Sequence, residues 1–178
     1  RENRIITDLL TLVKMDKKNA DLQIQHMSIN QLLEDILKRL RPIADKRSID
    51  LILDSFRPVE ADVDELKFTS AISNLVENAI KYNVDDGWVR VSLDADHKYF
   101  YVTVADSGMG IPEDSLSRIF ERFYRVDKSH SREIGGTGLG LAIARNAVIA
   151  HRGAIKVYSE EGEGTTFTVR IPLIYTAS

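Results

Sequence analysis

The segment Tyr99-Phe100-Tyr101-Val102-Thr103-Val104-Ala105 alternates residue by residue, which predicts a half-buried β-strand. Phe100, Val102 and Val104 share one parity and therefore one face. Asp106 has that same parity, and Ser107-Gly108-Met109-Gly110-Ile111 follows it. A carboxylate thus points to the buried side where the strand ends. An unpaired buried carboxylate is costly, so it requires a donor opposite it. A ligand amino group would serve, and the glycines would let the backbone approach a flat ring or a phosphate. A tight turn capped by Asp also fits Asp-Ser-Gly, so the motif alone leaves both readings open.

A chain of 178 residues can form one domain with a sizeable core plus a short extra element. Hydrophobic residues make up 43% and charged residues 29%, as in ordinary soluble globular domains. The net charge of -3 gives no indication of a nucleic-acid partner. The absence of cysteine excludes disulfides and thiolate metal sites, and it fits a reducing compartment. No apolar run approaches the length of a membrane span, and no signal peptide is visible. The chain opens mid-pattern at Arg1-Glu2-Asn3 without an initiator Met, so it reads as a piece of something longer.

Residues 1–16 are predicted to be helical, with Ile6, Leu9 and Val13 forming a bundle-like stripe beside Ile5 and Leu12. The same pattern suits a terminal helix packed on its own domain. The polar stretch 16–21 reads as a linker, and a short strand is expected around Leu22 and Ile24. Ser28-Ile29-Asn30-Gln31 has capping-box spacing, and Ile29, Leu32, Leu33, Ile36, Leu37 and Leu40 then follow a helical period. Pro42 is expected to kink or end that helix. A strand is predicted over 49–53, then a turn near Arg57-Pro58. Asp62-Val63-Asp64-Glu65 reads as an acidic helix start, with the helix running to about Tyr82. Val89, Val91 and Leu93 alternate, which predicts a strand paired with 99–105. The connection from Pro112 to Gly136 is long and irregular, with a short helix expected near 115–120. Residues 139–150 read as an apolar helix, and 155–159 with 166–171 as a final hairpin. This order predicts an α/β chain, a two-layer sandwich of a mixed sheet with helices on one face.

Several residue groups carry chemistry. Asn74, Asn78 and Lys81 fall at i, i+4 and i+7 and share a helix face. Asn is a poor helix former, so two of them one turn apart are not explained by propensity. Amide oxygens can ligate a hard cation such as Mg²⁺, and Lys81 could meet phosphates of the same ligand. A solvated polar stripe is the plain alternative. Gly135-Gly136-Thr137-Gly138-Leu139-Gly140 runs into an apolar helix, where free N–H groups make an anion site, although a flexible hinge has the same composition. The segment lacks the P-loop ending and the dinucleotide spacing. Between the glycine motifs lie Phe120, Phe123 and Tyr124 with Arg122, Arg125, Lys128 and Arg132. A basic, aromatic connection between two phosphate-type loops reads as a lid. A solvated charged loop would explain the arginines but not the aromatics.

The order of these groups resembles the ATP-binding catalytic domain of sensor histidine kinases, over roughly residues 25–173. Its superfamily includes DNA gyrase, the MutL mismatch-repair ATPases and a class of heat-shock chaperones, which share a Bergerat-type ATP-binding fold. Asn74-Leu75-Val76-Glu77-Asn78-Ala79-Ile80-Lys81-Tyr82 is similar to the N box, and Asp106 to Ile111 to the first glycine box. Ile119-Phe120-Glu121-Arg122-Phe123-Tyr124-Arg125 is similar to the F box. Gly136 to Leu141 is similar to the second glycine box, and Gly162-Glu163-Gly164-Thr165 to the third. The helix over 1–16, with Asp8-Leu9-Leu10-Thr11-Leu12, more weakly resembles the second helix of the family's dimerisation hairpin. The resemblance implies three parts: 1–19 as the end of that hairpin helix, 20–28 as linker and first strand, and 29–175 as catalytic domain.

The resemblance also implies roles. Asp106 would bond the adenine amino group, with Gly108, Gly110 and Ile111 beside it. Asn78 would ligate Mg²⁺ with Asn74 in support. Lys81 and Arg125 would meet phosphates, and Tyr82 and Tyr124 would flank the base or ribose. Thr137, Gly138, Leu139 and Gly140 would cradle phosphates, and Thr165 would reach the base through water. The implied ligands are ATP and Mg²⁺. The implied partners are the phosphoacceptor helix of the same protein, dimeric at full length, and a response regulator, with no nucleic acid and no membrane contact by this segment. The implied location is a cytoplasmic domain of a membrane-bound sensor. None of His26, His97, His130 and His151 lies in a His-Glu/Asp-Leu-Arg-Thr-Pro context, so the acceptor helix is expected upstream of Arg1. Rival readings are a gyrase- or MutL-like ATPase and a non-catalytic nucleotide-sensing module. In those ATPases the residue matching Asn74 is a Glu that activates water, and Asn cannot act as that base.

Overall fold

The computed structural model describes residues 22–124 and 138–176. The helix and linker expected over 1–21, and the connection from Arg125 to Thr137, lie outside the described residues. In chain order the elements are β1 (Ile24–Ser28), α1 (Ile29–Asp45), β2 (Asp50–Ser55), β3 (Glu60–Asp64), α2 (Glu65–Lys81), β4 (Trp88–Ala95) and β5 (Tyr99–Asp106). A single 3₁₀ turn (Glu113–Ser115) precedes α3 (Gly140–Ala150), β6 (Ala154–Glu160) and β7 (Gly164–Pro172).

Alternation sets the faces of the main sheet. β4 buries Val89, Val91 and Leu93, β5 buries Phe100, Val102 and Val104, and β7 buries Phe167, Val169 and Ile171. The other parity carries Arg90, Ser92, Tyr101, Thr103, Thr168 and Arg170, which stay exposed or half-buried. The strand order is β2-β4-β5-β7-β6. β2 runs parallel to β4, and the other neighbours are antiparallel. A parallel pair needs a long crossover, and β3 with α2 supplies it. The buried face packs into one core with Leu33, Ile36, Leu37 and Leu40 of α1, Phe68, Ile72, Leu75 and Val76 of α2, and Ala144, Ala147 and Val148 of α3. Phe68 meets Phe100 edge-on at 5.9 Å, which seats α2 against the central strand. The result is the expected mixed sheet with helices on one face.

The expected helix start at Asp62 is corrected. Residues 60–64 form β3, paired antiparallel with β1 in a separate two-stranded sheet. Val59, Ala61 and Val63 alternate and are buried, and that period wins over the acidic signature. Asp64, not Asp62, is the N-cap, its Oδ1 accepting the Lys67 amide at 2.9 Å. Asp62 instead accepts the Tyr175 amide at 3.0 Å and pairs with His26 at 2.9 Å.

α1 is capped by Ser28, whose hydroxyl accepts from the Gln31 amide at 3.2 Å. The Gln31 side chain turns to Asp35 instead of back to Ser28, so only half of the box forms. The helix runs past Pro42 to Asp45. Pro42 is exposed, so water can serve the carbonyl that its missing N–H leaves open. The helix expected near 115–120 is instead the 3₁₀ turn and a run of further turns. Buried Ile119, and Phe120 edge-on to Phe167 at 6.2 Å, pin that segment to the core.

Two polar devices fix the helix ends. After α1, the Arg47 guanidinium donates to the carbonyls of Ile80 (2.7 Å), Lys81 (2.8 Å) and Asn83 (2.6 Å), and it pairs with Asp85 at 3.1 Å. Ile80 and Lys81 belong to the last turn of α2 and Asn83 lies just past it, so the guanidinium braces the C-terminal end of that helix. At the end of α3, buried His151 donates from Nδ1 to the Ala147 carbonyl (2.8 Å), and its Nε2 accepts the Asp64 amide (3.0 Å). The Asp64 amide can only donate, so the proton sits on Nδ1 and the ring is neutral. Burial holds the His151 pKa below its ordinary value.

Candidate functional site

Asp106 closes β5 on the buried parity, as its position in the strand predicts. Its Oδ1 accepts two backbone amides, Gly108 at 2.8 Å and Thr165 at 3.2 Å. Part of the donor requirement read from the sequence is therefore met by the chain itself. Oδ2 makes no hydrogen bond to a described residue, so it is the acceptor left for a ligand. Burial pushes the carboxyl up to about 6, against the two amides, which favour the charged form.

Backbone approaches close in around this carboxylate. Gly110 has φ +73°, and a Cβ there would overlap the Glu160 carbonyl oxygen. Gly164 has φ +138°, and a Cβ there would overlap the carbonyl oxygen of Asp106 itself. Only glycine tolerates both conditions. The Tyr82 carbonyl accepts the Met109 amide at 3.2 Å, which ties the end of α2 to the first glycine loop. Ser107 donates its hydroxyl to Asn83 Oδ1 at 3.0 Å and accepts the Trp88 amide at 2.8 Å.

The middle of α2 meets α3. A methyl on Gly140 would lie 2.9 Å from Asn74 Oδ1, so the N-terminus of α3 stands against Asn74. Asn74 Nδ2 donates to the Ser70 carbonyl at 2.8 Å, which leaves its oxygen toward α3. Asn78 lies one turn on, and its side chain makes no hydrogen bond to a described residue. Lys81 completes the face. From Asn74 to Tyr82 the axis advances about 12 Å, so one helix joins the two glycine-rich regions. The Gly138 carbonyl accepts the Phe123 amide at 2.8 Å, which holds together the two ends of the connection outside the described residues.

The sequence-predicted residues thus fall into two groups. Tyr82, Gly108, Gly110, Ile111 and Thr165 gather around Asp106, while Gly138, Leu139 and Gly140 lie near Asn74. The Leu139 side chain is fully buried with Ala142 and Ile143, so it can offer a ligand only its backbone. The Tyr124 hydroxyl donates to Ser115 at 2.9 Å, and the Arg118 guanidinium stands 4.5 Å from its ring centre. Arg125 and Thr137 lie outside the described residues. Sequence reasoning missed Arg47, Asn83 and Ser159. Ser159 carried a signal: it shares parity with Ile155 and Val157, so a hydroxyl ends an inward row just as Asp106 does.

Comparison with known proteins gives the same picture. The family described as histidine kinase-, DNA gyrase B- and HSP90-like ATPase matches residues 63–174. The sensor histidine kinase WalK of Bacillus subtilis is 37% identical over 172 residues, covering 95% of this chain and 28% of WalK. The chain therefore spans little more than a quarter of that relative. The catalytic domain of histidine kinase ThkA superposes with a TM-score of 0.76 at 25% identity, covering 86% of this chain and 97% of that domain. Full-length ShkA in complex with AMPPNP superposes with a TM-score of 0.83 at 26% identity, covering 98% of this chain and 36% of ShkA. Sequence, fold and the glycine-lined carboxylate agree, and the chain belongs to the family of histidine kinase-, DNA gyrase B- and HSP90-like ATPases.

Proposed function

We infer that this chain is the ATP-binding catalytic part of a two-component sensor histidine kinase. It would present the γ-phosphoryl of ATP to a histidine on the dimerisation helix of the full-length protein. The observation that carries this reading is the half-buried Asp106, with both backbone donors on Oδ1 and Oδ2 left as an acceptor. An adenine amino group is the donor that this geometry suits, and glycines let the surrounding backbone close in on the carboxylate where a Cβ would collide with it. The AMPPNP bound to ShkA and the name of WalK support the same reading.

The remaining roles are those that the family resemblance implies. Asn78 would hold Mg²⁺ through its amide oxygen, and Asn74 would support it from the preceding turn. Among the described residues no group of three or more His, Asp or Glu could hold a metal ion. A cation here would rest on Asn78 and phosphate oxygens, and when bound it would neutralise phosphate charge. Lys81 and Arg125 would meet phosphates. Amides of the 137–140 segment would cradle them at the start of α3. Tyr82 and Tyr124 would border the base and ribose. Phosphoryl transfer needs positioning and charge neutralisation above all, and the acceptor imidazole is the nucleophile. Residues 1–19 would be the C-terminal part of the dimerisation hairpin helix, 20–28 would be linker and first strand, and 29–175 would form the catalytic domain. The partners would be that helix and a response regulator, and the domain would stand on the cytoplasmic side of a membrane-bound sensor.

The test is radiolabelled ATP with the chain alone and with the acceptor hairpin of its parent protein. Label is expected on the hairpin histidine and not on the chain, with slow hydrolysis because Asn74 offers no general base. Rapid hydrolysis by the chain alone would favour a gyrase-like ATPase. Label on His26, His97, His130 or His151 would overturn transfer to a separate helix.

A further inference from the structure

α2 and α3 run antiparallel and can be gauged against each other at two points. At one, the buried His151 ring just past α3 accepts the Asp64 amide through Nε2 at 3.0 Å. At the other, Gly140, the first residue of α3, stands so close to Asn74 that a Cβ would lie 2.9 Å from its Oδ1. At about 1.5 Å per residue, the axis advances roughly 15 Å from Asp64 to Asn74 and roughly 16 Å from Gly140 to His151. The two spans match, so the bond at one point decides what stands opposite Asn74 at the other. Both partners in that bond are held from behind. His151 Nδ1 donates to the Ala147 carbonyl at 2.8 Å, which fixes the ring. The Asp64 carboxylate accepts the Lys67 amide on Oδ1 and the Gln23 amide on Oδ2, each at 2.9 Å, which fixes the strand end that presents the Asp64 amide. α3 itself buries Ala142, Ala144, Ala147 and Ala150. Such small side chains raise shallow ridges, which hold the axial position of a packed helix weakly.

We propose that His151 is a positioning residue for the triphosphate: its bond to Asp64 sets the axial register of α3 on α2, and so places the backbone amides at the start of α3 opposite Asn74 and Asn78. The proposal rests on the nucleotide reading above and adds to it a residue a full helix length away from the groups it places. A helix is stiff along its axis, so a slip at His151 arrives at Gly140 undiminished. A misplacement of about 1 Å is enough to spoil bonds to a bound ligand. The base end of the site does not ride on α3, since Asp106 belongs to β5 and Thr165 to β7. Loss of the register should therefore be felt by the phosphates and not by the nucleoside.

The experiment measures ATP and adenosine affinities of the whole chain by calorimetric titration. His151→Phe keeps a buried ring but removes the acceptor. In this variant the ATP-to-adenosine affinity ratio is expected to fall roughly ten- to hundredfold, the worth of one hydrogen bond to a charged group. His151→Gln carries an amide oxygen as far along the side chain as Nε2, and it should keep the ratio of wild type. A folded phenylalanine variant with an unchanged ratio, or with equal losses for both ligands, would overturn the proposal and leave the nucleotide reading standing. A glutamine variant that falls with phenylalanine would also overturn it, because the ring and not the acceptor would then matter. Hydrogen exchange of the Asp64 amide in wild type decides the question if the phenylalanine variant does not fold. Coupling is reciprocal, so AMPPNP should slow that exchange more than adenosine does. Equal protection by the two ligands would overturn the proposal. Failure of wild type to bind ATP at all would overturn both this proposal and the nucleotide reading.

Discussion

Asp106→Asn is expected to stabilise the chain while it weakens nucleotide binding. The carboxyl is shifted from 3.8 to about 6, chiefly by burial. At about 1.4 kcal/mol per unit, this is at most roughly 3 kcal/mol. The sign follows from which state ionises first. Below 3.8 folded and unfolded chains both carry the proton, and Asp106 costs nothing. As pH rises toward 6 the unfolded chain ionises while the folded chain resists, so folding stability falls and stays lowered above that point. Asn cannot ionise, and its oxygen can still accept the Gly108 and Thr165 amides. In the absence of nucleotide the variant should therefore melt higher than wild type above pH 6. At about 2–4 °C per kcal/mol, the gain approaches roughly 6–12 °C. The two curves should converge as pH falls toward 4. ATP affinity should drop about 10- to 150-fold, because a charge-assisted bond worth roughly 1.5–3 kcal/mol is lost. Thermal denaturation across pH and calorimetry on the same preparations read both effects. A variant no more stable than wild type above pH 6 would refute the desolvation argument. Unchanged ATP affinity would refute the adenine contact.

Two further outcomes are expected. Asn78→Ala should reduce the gain in ATP affinity from added Mg²⁺ much more than it reduces binding of adenosine, and an unchanged Mg²⁺ response in calorimetry would remove Asn78 as a ligand. His151 acts opposite to Asp106: its folded pKa lies below 6.5, so its contribution is complete above 6.5 and is lost as pH falls below it. Nitrogen-resolved NMR should find a neutral ring with its proton on Nδ1 near neutral pH, and a ring that titrates above 6.5 would contradict the buried bond to the Asp64 amide.

The parts of the fold that the sequence revealed are those with a local period. The alternations over 89–93 and 99–105 and the apolar spacing of α1 and α2 each repeat within a few residues, so they fixed faces and pairing. β3 escaped because its alternating Ala61 and Val63 run into Asp64, which serves the strand end and the helix cap together. A carboxylate pattern at such a junction reads as helix start whichever Asp does the capping. The position of Asp106 was legible because parity decides it. The partners of Oδ1 were not, since the Thr165 amide arrives from 59 residues away. Arg47 left no trace, because its carbonyl partners lie 33 to 36 residues on and any backbone offers carbonyls.

The Arg47 clamp bears on where this module can be cut. The segment shared across the ATPase family begins at residue 63, which makes it an inviting place to trim. Every residue assigned to the nucleotide would survive that cut. Arg47 would not, nor would β2, the edge strand against β4. Three carbonyls at the close of α2 would lose their charged donor, and α2 carries Asn74, Asn78 and Lys81 just before them. Boundaries drawn by shared ancestry and boundaries drawn by physical support therefore differ here. A minimal version designed from the homologous segment alone would keep the site's letters while losing the Arg47 brace at the end of its helix.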